Sequence, residues 1–393
     1  MLELTTAGAR RMRLVAQGLR GTVASGASAA GAPAPGATPL GAAAGETPAD
    51  PASDAAPAGP TPAGATPAGP TPAEVVRRMV AMQGQDLAQV LRAIAIRSAP
   101  GTTIAQVRAA FDRGEIVRSW PMRGTLFAIA PDDLAVLLAW TAERIRRASA
   151  PQRRERGLDD ATIDRARDIA VAAVAEAPRT RAALLEVWEA AGIETGRGRG
   201  YMLISQLAME RRMHWGPFAG TQQTLVPSAP IAVDDPEAGL AGIARRYVAA
   251  RGPVTTDDFA WWTGLTKTDA RAAVARAGGL VEVLVEGVPM WIASEQEAAG
   301  RSGVLLVPGF DEWVLGYRDR ALIASAAMRE ALVPGSNGVF KPAVLVDGRA
   351  VGTWRWPPQP GRRPVEPELA LVERVSPTVR ARIERALEAW PHR

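Results

Sequence analysis

Gln83 and Gln85, two primary amides separated by one glycine in the stretch Gln83-Gly84-Gln85-Asp86, are the residues on which chemistry is most readily built. An amide side chain offers an acceptor oxygen and a donor nitrogen and transfers no proton near neutral pH. Such a pair can orient a bound group but cannot serve as an acid or a base. Asp86 suits the N-cap of a helix starting at Leu87, and Gln89 stands where a capping box places its return partner. The amides would then sit at a helix N-terminus. The same residues also fit an ordinary capped turn, with Gly84 ending one helix and both glutamines solvated in the loop.

Other candidates for chemistry are few. Zero cysteines exclude disulfides, thiolate metal sites and a cysteine nucleophile, and the two histidines, His214 and His392, exclude a multi-histidine metal site. A Ser-His-Asp site would have to use His214, because His392 falls in a tail expected to fray and no Gly-x-Ser-x-Gly context presents a serine. His214, beside Trp215, reads as a partly buried strand residue or as a DNA contact. Gly196-Arg197-Gly198-Arg199-Gly200 lacks the strand and the downstream acid of a dinucleotide fingerprint, and reads as a basic turn at a helix N-terminus able to hold a phosphate. Asp132-Asp133, Asp159-Asp160 and Asp257-Asp258 stand at helix starts, where capping accounts for them. Asp311-Glu312 lies between β-like runs, as a structural corner or, alternatively, an acid/base pair.

The basic candidates for DNA contact are Arg123 in a hairpin turn, Arg197, Arg199, Arg211, Arg212, His214 and Lys267. Arg144, Arg146, Arg147, Arg153, Arg154 and Arg156 form either a further phosphate-contact face or a solvated helix face. With 46 basic residues against 41 acidic ones, the net charge of +5 permits a nucleic-acid partner without requiring one. Only Lys267 and Lys341 are lysines, so nearly all the positive charge is arginine, suited to bidentate phosphate contact.

The elements that must position these residues come in a repeated order. Ala73 to Met82 reads as a helix, and after the motif Leu87, Val90, Leu91 and Ile94 recur at helical spacing. A short helix from Thr102-Thr103 to Phe111 follows, then strand-like runs Glu115 to Trp120 and Thr125 to Ala130 around the turn Pro121-Met122-Arg123-Gly124. Helices followed by a two-stranded hairpin are the order of a winged helix. That order recurs in helices 158–176, 179–191 and 200–212 with strands 213–215 and 222–226. It recurs again in helices 239–250, 256–263 and 266–277 with strands 281–286 and 288–293, where Thr255 with Asp258 and Thr266 with Asp269 are capping-box signals. Strands are expected at 304–307, 313–317, 343–346 and 350–354, with Asp347-Gly348 as a hairpin turn, closed by a helix from Pro377 to Trp390.

At the N-terminal end, Met12, Val15 and Leu19 share one face of a docking helix within Leu2 to Leu19. Gly21 to Pro72 is Ala, Gly, Pro, Thr and Ser with almost nothing to bury, an expected disordered insertion. The fold class is mainly α with β (α+β): tandem winged-helix domains followed by a small C-terminal β-rich domain. The first winged-helix domain spans 1–150 and is interrupted by the insertion 21–72; the second spans 151–232, the third 233–300, and the β-rich domain with its closing helix 301–393. No apolar run reaches the roughly 18 to 20 residues of a membrane span, which makes a cytoplasmic protein the expectation.

Five segments in this order resemble the AlkZ-like winged-helix DNA glycosylases: Arg10 to Leu19, Gln83-Gly84-Gln85-Asp86, Arg118 to Leu126, Gly309 to Tyr317 and Val346 to Trp354. The likeness covers nearly the whole chain outside the Gly21 to Pro72 insertion. It implies tandem winged helices around a DNA channel, a C-terminal β domain, no metal, and excision of alkylated purines, with bulky adducts or interstrand crosslinks among the substrates of some members; the expected partner is double-stranded DNA, the expected state a monomer, and no cofactor is expected. It also implies that Gln83 and Gln85 hold the hydrolytic water and places the chain in the Gln-x-Gln branch, not the related Gln-x-Asp one. Many relatives have histidine where this chain has Phe127, which leaves a polar DNA or lesion contact there without its side chain.

Glutamine is chemically sensible for one substrate class. A purine alkylated at N7 is already cationic and leaves the sugar without a general acid, through a transition state resembling an oxocarbenium ion. The protein then needs to orient water and tolerate positive charge, which an amide carbonyl can do. The alternative reading is a non-catalytic winged-helix DNA-binding protein, and a third is a protein-interaction scaffold.

Overall fold

The computed structural model describes residues 2–19, 69–296, 303–336, 338–357 and 366–392. The insertion expected at 21–72 lies, up to residue 68, outside them. Fourteen α-helices and three sheets are formed among the described residues, an α+β architecture. No helix among them is long and apolar enough to cross a membrane.

The chain opens with strand β1 (Leu2–Leu4) and helix α1 (Thr6–Ala16), whose first turn is capped by the Thr5 hydroxyl. α2 (Pro72–Met79) begins with a complete Thr71–Glu74 capping box and proline in its first turn. It stops earlier than the apolar pattern suggests. Val80 takes φ 63° and ψ −58°, a costly conformation for a β-branched residue, and turns the chain into strand β2 (Ala81–Gln83). The motif therefore sits at the end of a strand instead of between two helices. Ala81, Met82 and Gln83 are all buried, and a short run buried on both faces has no period that separates strand from helix.

α3 (Leu87–Ala95) and α4 (Ile104–Asp112) lead into the hairpin of β3 (Val117–Met122) and β4 (Thr125–Ile129). Its tip residues Arg123 and Gly124 both have positive φ, 54° and 68°, the backbone a two-residue hairpin requires. Next come α5 (Pro131–Glu155), α6 (Asp160–Glu176), α7 (Arg181–Ala190), α8 (Arg199–Met209) and the hairpin β5 (Met213–Ala219) with β6 (Gln222–Pro227). α9 (Pro236–Arg251), α10 (Thr256–Thr263) and α11 (Lys267–Arg276) then precede β7 (Leu280–Val285) and β8 (Val288–Ala293), with α10 and α11 capped by Thr255 and Thr266 as their spacing predicts.

The C-terminal portion holds β9 (Val304–Val307), α12 (Glu312–Leu315), α13 (Ala326–Leu332), β10 (Ala343–Val346), β11 (Arg349–Arg355), β12 (Glu368–Leu371) and α14 (Pro377–Glu388). Asp347 and Gly348, at φ 47° and 78°, make the expected tight turn between β10 and β11. The run 313–317 is not a strand. The Asp311 carboxylate accepts the Trp313 N–H at 2.8 Å and starts the one-turn helix α12, whose residues are all buried. The C-terminal tail is not frayed at His392 either: the residue is buried, and its carbonyl accepts from Arg92 Nε at 2.7 Å and Trp390 Nε1 at 3.1 Å.

Three sheets organise these elements, in the orders β2-β4-β3-β5-β6, β1-β7-β8 and β12-β11-β10-β9. In the first, β3 meets β5 at Arg118 and Trp215, so the hairpins β3–β4 and β5–β6 share one sheet. Ala81, Phe127 and Ile129 belong to a core with Trp120, Tyr247 and Trp262, while Met82 and Ala128 belong to another with Val76, Ile94 and Phe111. β2 is thus gripped on both faces. α1 and the residues just after it span two other cores: Ala9 and Met12 pack with Val283 and Ile292, and Leu14 and Leu19 with Trp313 and Leu345.

Candidate functional site

β2 pairs antiparallel with β4, setting Gln83 opposite Phe127. The pairing continues into the motif, where the Gly84 N–H donates to the Leu126 carbonyl at 2.7 Å. A Cβ on Gly84 would stand 3.1 Å from Ala128 N and 3.2 Å from the Phe127 carbonyl carbon, so the middle residue is glycine because β4 passes against it. It is not a helix C-cap. Asp86 does cap α3, accepting the Gln89 N–H at 3.1 Å. The return half of the capping box is open, because Gln89 Oε1 accepts the Gly309 N–H at 3.1 Å instead and ties the start of α3 to the loop before α12.

The two glutamines differ in setting. Gln83 is 8 % exposed, and its Oε1 is buried without a hydrogen-bond donor among the described residues. Its neighbour across the ladder, Phe127, is fully buried and meets Trp262 edge to face with centroids 6.4 Å apart. Gln85 is exposed, and its Oε1 accepts the Leu126 N–H at 3.4 Å. Gln85 borders a cavity of about 430 Å³ whose walls include Arg118, Trp120, Tyr201 and Trp215. Trp120 Nε1 donates to the Tyr201 hydroxyl at 3.1 Å, whereas Trp215 Nε1 is buried with no acceptor among the described residues.

Arg118 supports the motif from β3. Its Nε donates to the Gly84 carbonyl at 2.7 Å and its Nη1 to Gln223 Oε1 at 3.2 Å. Burial pushes its pKa down to about 10, still cationic at neutral pH. On the other side of β2, Glu312 Oε1 accepts the Gln83 N–H at 2.9 Å, and Glu312 Oε2 takes Arg251 Nη2 at 2.7 Å and Trp262 Nε1 at 3.1 Å. Asp311, its neighbour, forms a separate buried pair with Arg97, at 2.7 and 2.8 Å. Asp311 and Glu312 are each paired with an arginine and buried, which answers the choice between corner and acid/base pair in favour of a corner. Arg118 stands in one of the resembling segments without a role assigned to it, and Arg251 and Trp262 carry no functional signal in the sequence. Each is an ordinary strand or helix residue locally, and only the fold brings it to the motif.

The residues expected to contact DNA fall into two groups. Arg197 and Arg212 are exposed. Arg123, at the β3–β4 tip, lies over Trp261 at 4.8 Å and Phe127 at 5.5 Å, and burial lowers its pKa. Lys267 pairs with Asp257 at 2.9 Å on the surface. The others are engaged in holding the chain: Arg199 Nη1 donates to the Arg156 carbonyl at 2.8 Å, and Arg211 donates to the Ile231 carbonyl. Arg156 Nη1 in turn donates to the Arg197 carbonyl at 2.6 Å, bracing the turn before α8. His214 Nδ1 lies 3.0 Å from Ser228 Oγ, and burial pushes its pKa down to about 4, so the ring is neutral at physiological pH. Among the described residues no cluster of three or more histidine or carboxylate side chains could hold a metal ion.

The fold and site define an α+β protein with a paired-amide motif on a buried sheet edge. The DNA glycosylase AlkZ-like family matches residues 76–392, and the chain belongs to that family of DNA glycosylases. An interstrand DNA cross-link repair glycosylase of Streptomyces sahachiroi is 25 % identical over 302 residues, covering 72 % of this chain and 81 % of the relative. The solved structure of Streptomyces sahachiroi DNA glycosylase AlkZ superposes with a TM-score of 0.68 at 22 % identity, over 81 % of this chain and 90 % of that one, a likeness of fold.

Proposed function

We propose that this glycosylase hydrolyses the N-glycosidic bond of purines made cationic by alkylation at N7, and that it belongs to the Gln-x-Gln branch. The observation that carries the reading is the buried Oε1 of Gln83, an acceptor with no donor among the described residues at the end of a strand fixed on both faces. A buried acceptor without a partner is costly, and a water molecule is the smallest group that satisfies it. Gln83 and Gln85 hold that water towards C1′ of the damaged nucleotide. The water oxygen bonds to C1′, the C1′–N9 bond breaks with its electron pair moving into the purine, and the purine's positive charge is thereby neutralised. The water's proton passes to solvent, and no general acid is needed.

The cavity beside Gln85 and the cross-link repair named for the Streptomyces relative support bulky adducts and interstrand crosslinks as further substrates. Duplex DNA is held by Arg123, Arg197, Arg199, Arg211, Arg212 and Lys267, with His214 as a neutral hydrogen-bonding group, and the enzyme acts as a monomer. The helix-then-hairpin order supports three winged-helix domains, 1–150, 151–232 and 233–300, before the β-rich 301–393. Release of N7-methylguanine from duplex DNA tests the reaction. Gln83→Ala should lower the single-turnover rate by about a hundredfold or more, the scale for losing a positioned group, while changing DNA affinity less than about twofold. A wild-type protein that binds such DNA and releases no base above the spontaneous rate, from this or a bulky N7 adduct, sinks the reading.

A further inference from the structure

We infer that the buried Arg251–Glu312 pair is a positioning device for Gln83, acting through the main chain of β2; the inference rests on the reading of Gln83 as a water-holding residue. β2 is the edge of its sheet. One side of its backbone pairs with β4, as the Gly84 N–H to Leu126 bond shows. Along a strand successive backbone groups alternate direction, so the Ala81 carbonyl and the Gln83 N–H point away from β4, and Met79 just before the strand continues the row. Among the described residues no strand covers that side. Arg251 Nη1 donates to the Met79 carbonyl at 2.9 Å and Nη2 to the Ala81 carbonyl at 3.1 Å, while Glu312 Oε1 accepts the Gln83 N–H at 2.9 Å. The ion pair, closed at 2.7 Å, does what a neighbouring strand would do.

The pair is itself held from every side. Arg251 and Glu312 side chains are 0 % and 1 % exposed. Trp262 Nε1 donates to Glu312 Oε2, and the Arg251 guanidinium lies over Trp262 at 4.5 Å and Tyr247 at 5.1 Å. The Tyr247 hydroxyl donates to the Gly316 carbonyl at 2.7 Å, and the Tyr317 hydroxyl to the Arg251 carbonyl at 3.0 Å. A Cβ on Gly316 would stand 2.9 Å from Arg251 Nε, so this residue too is fixed by the cluster. Charges taken out of water are expensive, and a neutral strand would cost less. What a rigid, buried pair adds is a fixed position for the last residue of β2, where a displacement of about 1 Å can cost about a hundredfold in rate.

The test compares Glu312→Gln, Gln83→Ala and the double variant in the full chain, by single-turnover release of N7-methylguanine, DNA affinity and amide hydrogen exchange. Glu312→Gln should slow excision by about tenfold or more with affinity changed less than about twofold, and should add nothing in the Gln83→Ala background. The Gln83 amide should exchange about tenfold faster in Glu312→Gln, with the Gly84 amide within about twofold of wild type. Equal slowing by Glu312→Gln in both backgrounds, or an unchanged Gln83 amide, overturns the inference. If Gln83→Ala excises at the wild-type rate, the catalytic reading falls and this inference with it. If instead Gln83→Ala is slow while Glu312→Gln is normal, only this inference falls. Trp262→Phe, which removes one hydrogen bond to Glu312, repeats the comparison should Glu312→Gln fold poorly, with a smaller slowing of about threefold and the same non-additivity.

Discussion

The two edges of the five-stranded sheet meet the same physical demand in different ways. At β6, Leu225 exchanges both backbone hydrogen bonds with Arg179, at 3.1 and 2.7 Å, and main chain alone satisfies the outward groups of that residue. At β2 the edge is closed by a buried guanidinium and a buried carboxylate. The β6 edge shows that a segment of this chain can cap a strand without burying a charge. The ion pair at β2 is therefore not explained by backbone satisfaction alone, and the strand it grips is the one that carries Gln83.

The largest expected effect separates the two edges by stability. Glu312→Ala leaves Arg251 buried without its carboxylate and should destabilise the protein by about 3–5 kcal/mol. Arg179→Ala keeps the main-chain bridge and loses a partly exposed side chain, at a cost of about 1 kcal/mol or less. Denaturant midpoints of the two variants check this, and similar losses would erase the distinction.

Next in size is Asp311→Asn. It breaks the other buried pair, with Arg97, which contacts no backbone group of β2. The loss should be about 3 kcal/mol, and the asparagine can still cap α12. Excision per folded molecule should stay within about twofold of wild type, unlike Glu312→Gln. Comparable slowing in both variants would mean that buried charge near α12 matters to the rate only through general integrity.

How far this contrast can be seen in the sequence depends on the range of the interactions. Local chemistry is readable where spacing is strict: Thr255 with Asp258 is the complete capping box its spacing predicts, and Asp347-Gly348 is the turn its composition demands, whereas the Thr71–Glu74 box lies at the end of the expected insertion, whose composition hides it. The motif glutamines and Asp86 were found for the same reason. β2 was missed because its residues are buried on both faces, and α12 because Trp313, Val314 and Leu315 look equally suited to a strand. Gln89 was expected to close a local box but bonds to Gly309, far along the chain. Glu312 stands out in the sequence only as half of Asp311-Glu312, and its pairing with Arg251 is a contact across 61 positions, which no spacing rule reaches.

A third prediction concerns charge at the β5–β6 side. His214 is held neutral by burial, with its pKa pushed down to about 4. An unfolded histidine titrates near 6.5. Below that value the unfolded chain binds a proton that the folded protein refuses, so stability falls from about pH 6.5 towards pH 4 and is unaffected above it. At pH 5 the loss attributable to this residue is about 2 kcal/mol relative to pH 7. His214→Gln can keep a hydrogen bond to Ser228 and should flatten that part of the profile. If the variant's denaturant midpoint falls as steeply as wild type between these pH values, the neutral-histidine account fails.

The smallest effects belong to exposed arginines near the β5–β6 side. Arg212 immediately precedes β5, and Arg197 lies in the turn before α8; both are exposed. A phosphate contact releases counterions, so each lost contact lowers the slope of log affinity against log salt by about one. Arg212→Ala should therefore weaken binding to damaged and undamaged duplexes alike, most strongly at low salt, and leave the single-turnover excision rate at saturating protein within about twofold. This is the mirror image of Glu312→Gln, which should alter rate and spare affinity. Titrations over a range of salt, run beside excision at saturation, place each variant on one axis or the other. If Arg212→Ala slows the chemical step, or Glu312→Gln changes the salt slope, binding and positioning are not divided between the two sides of the sheet.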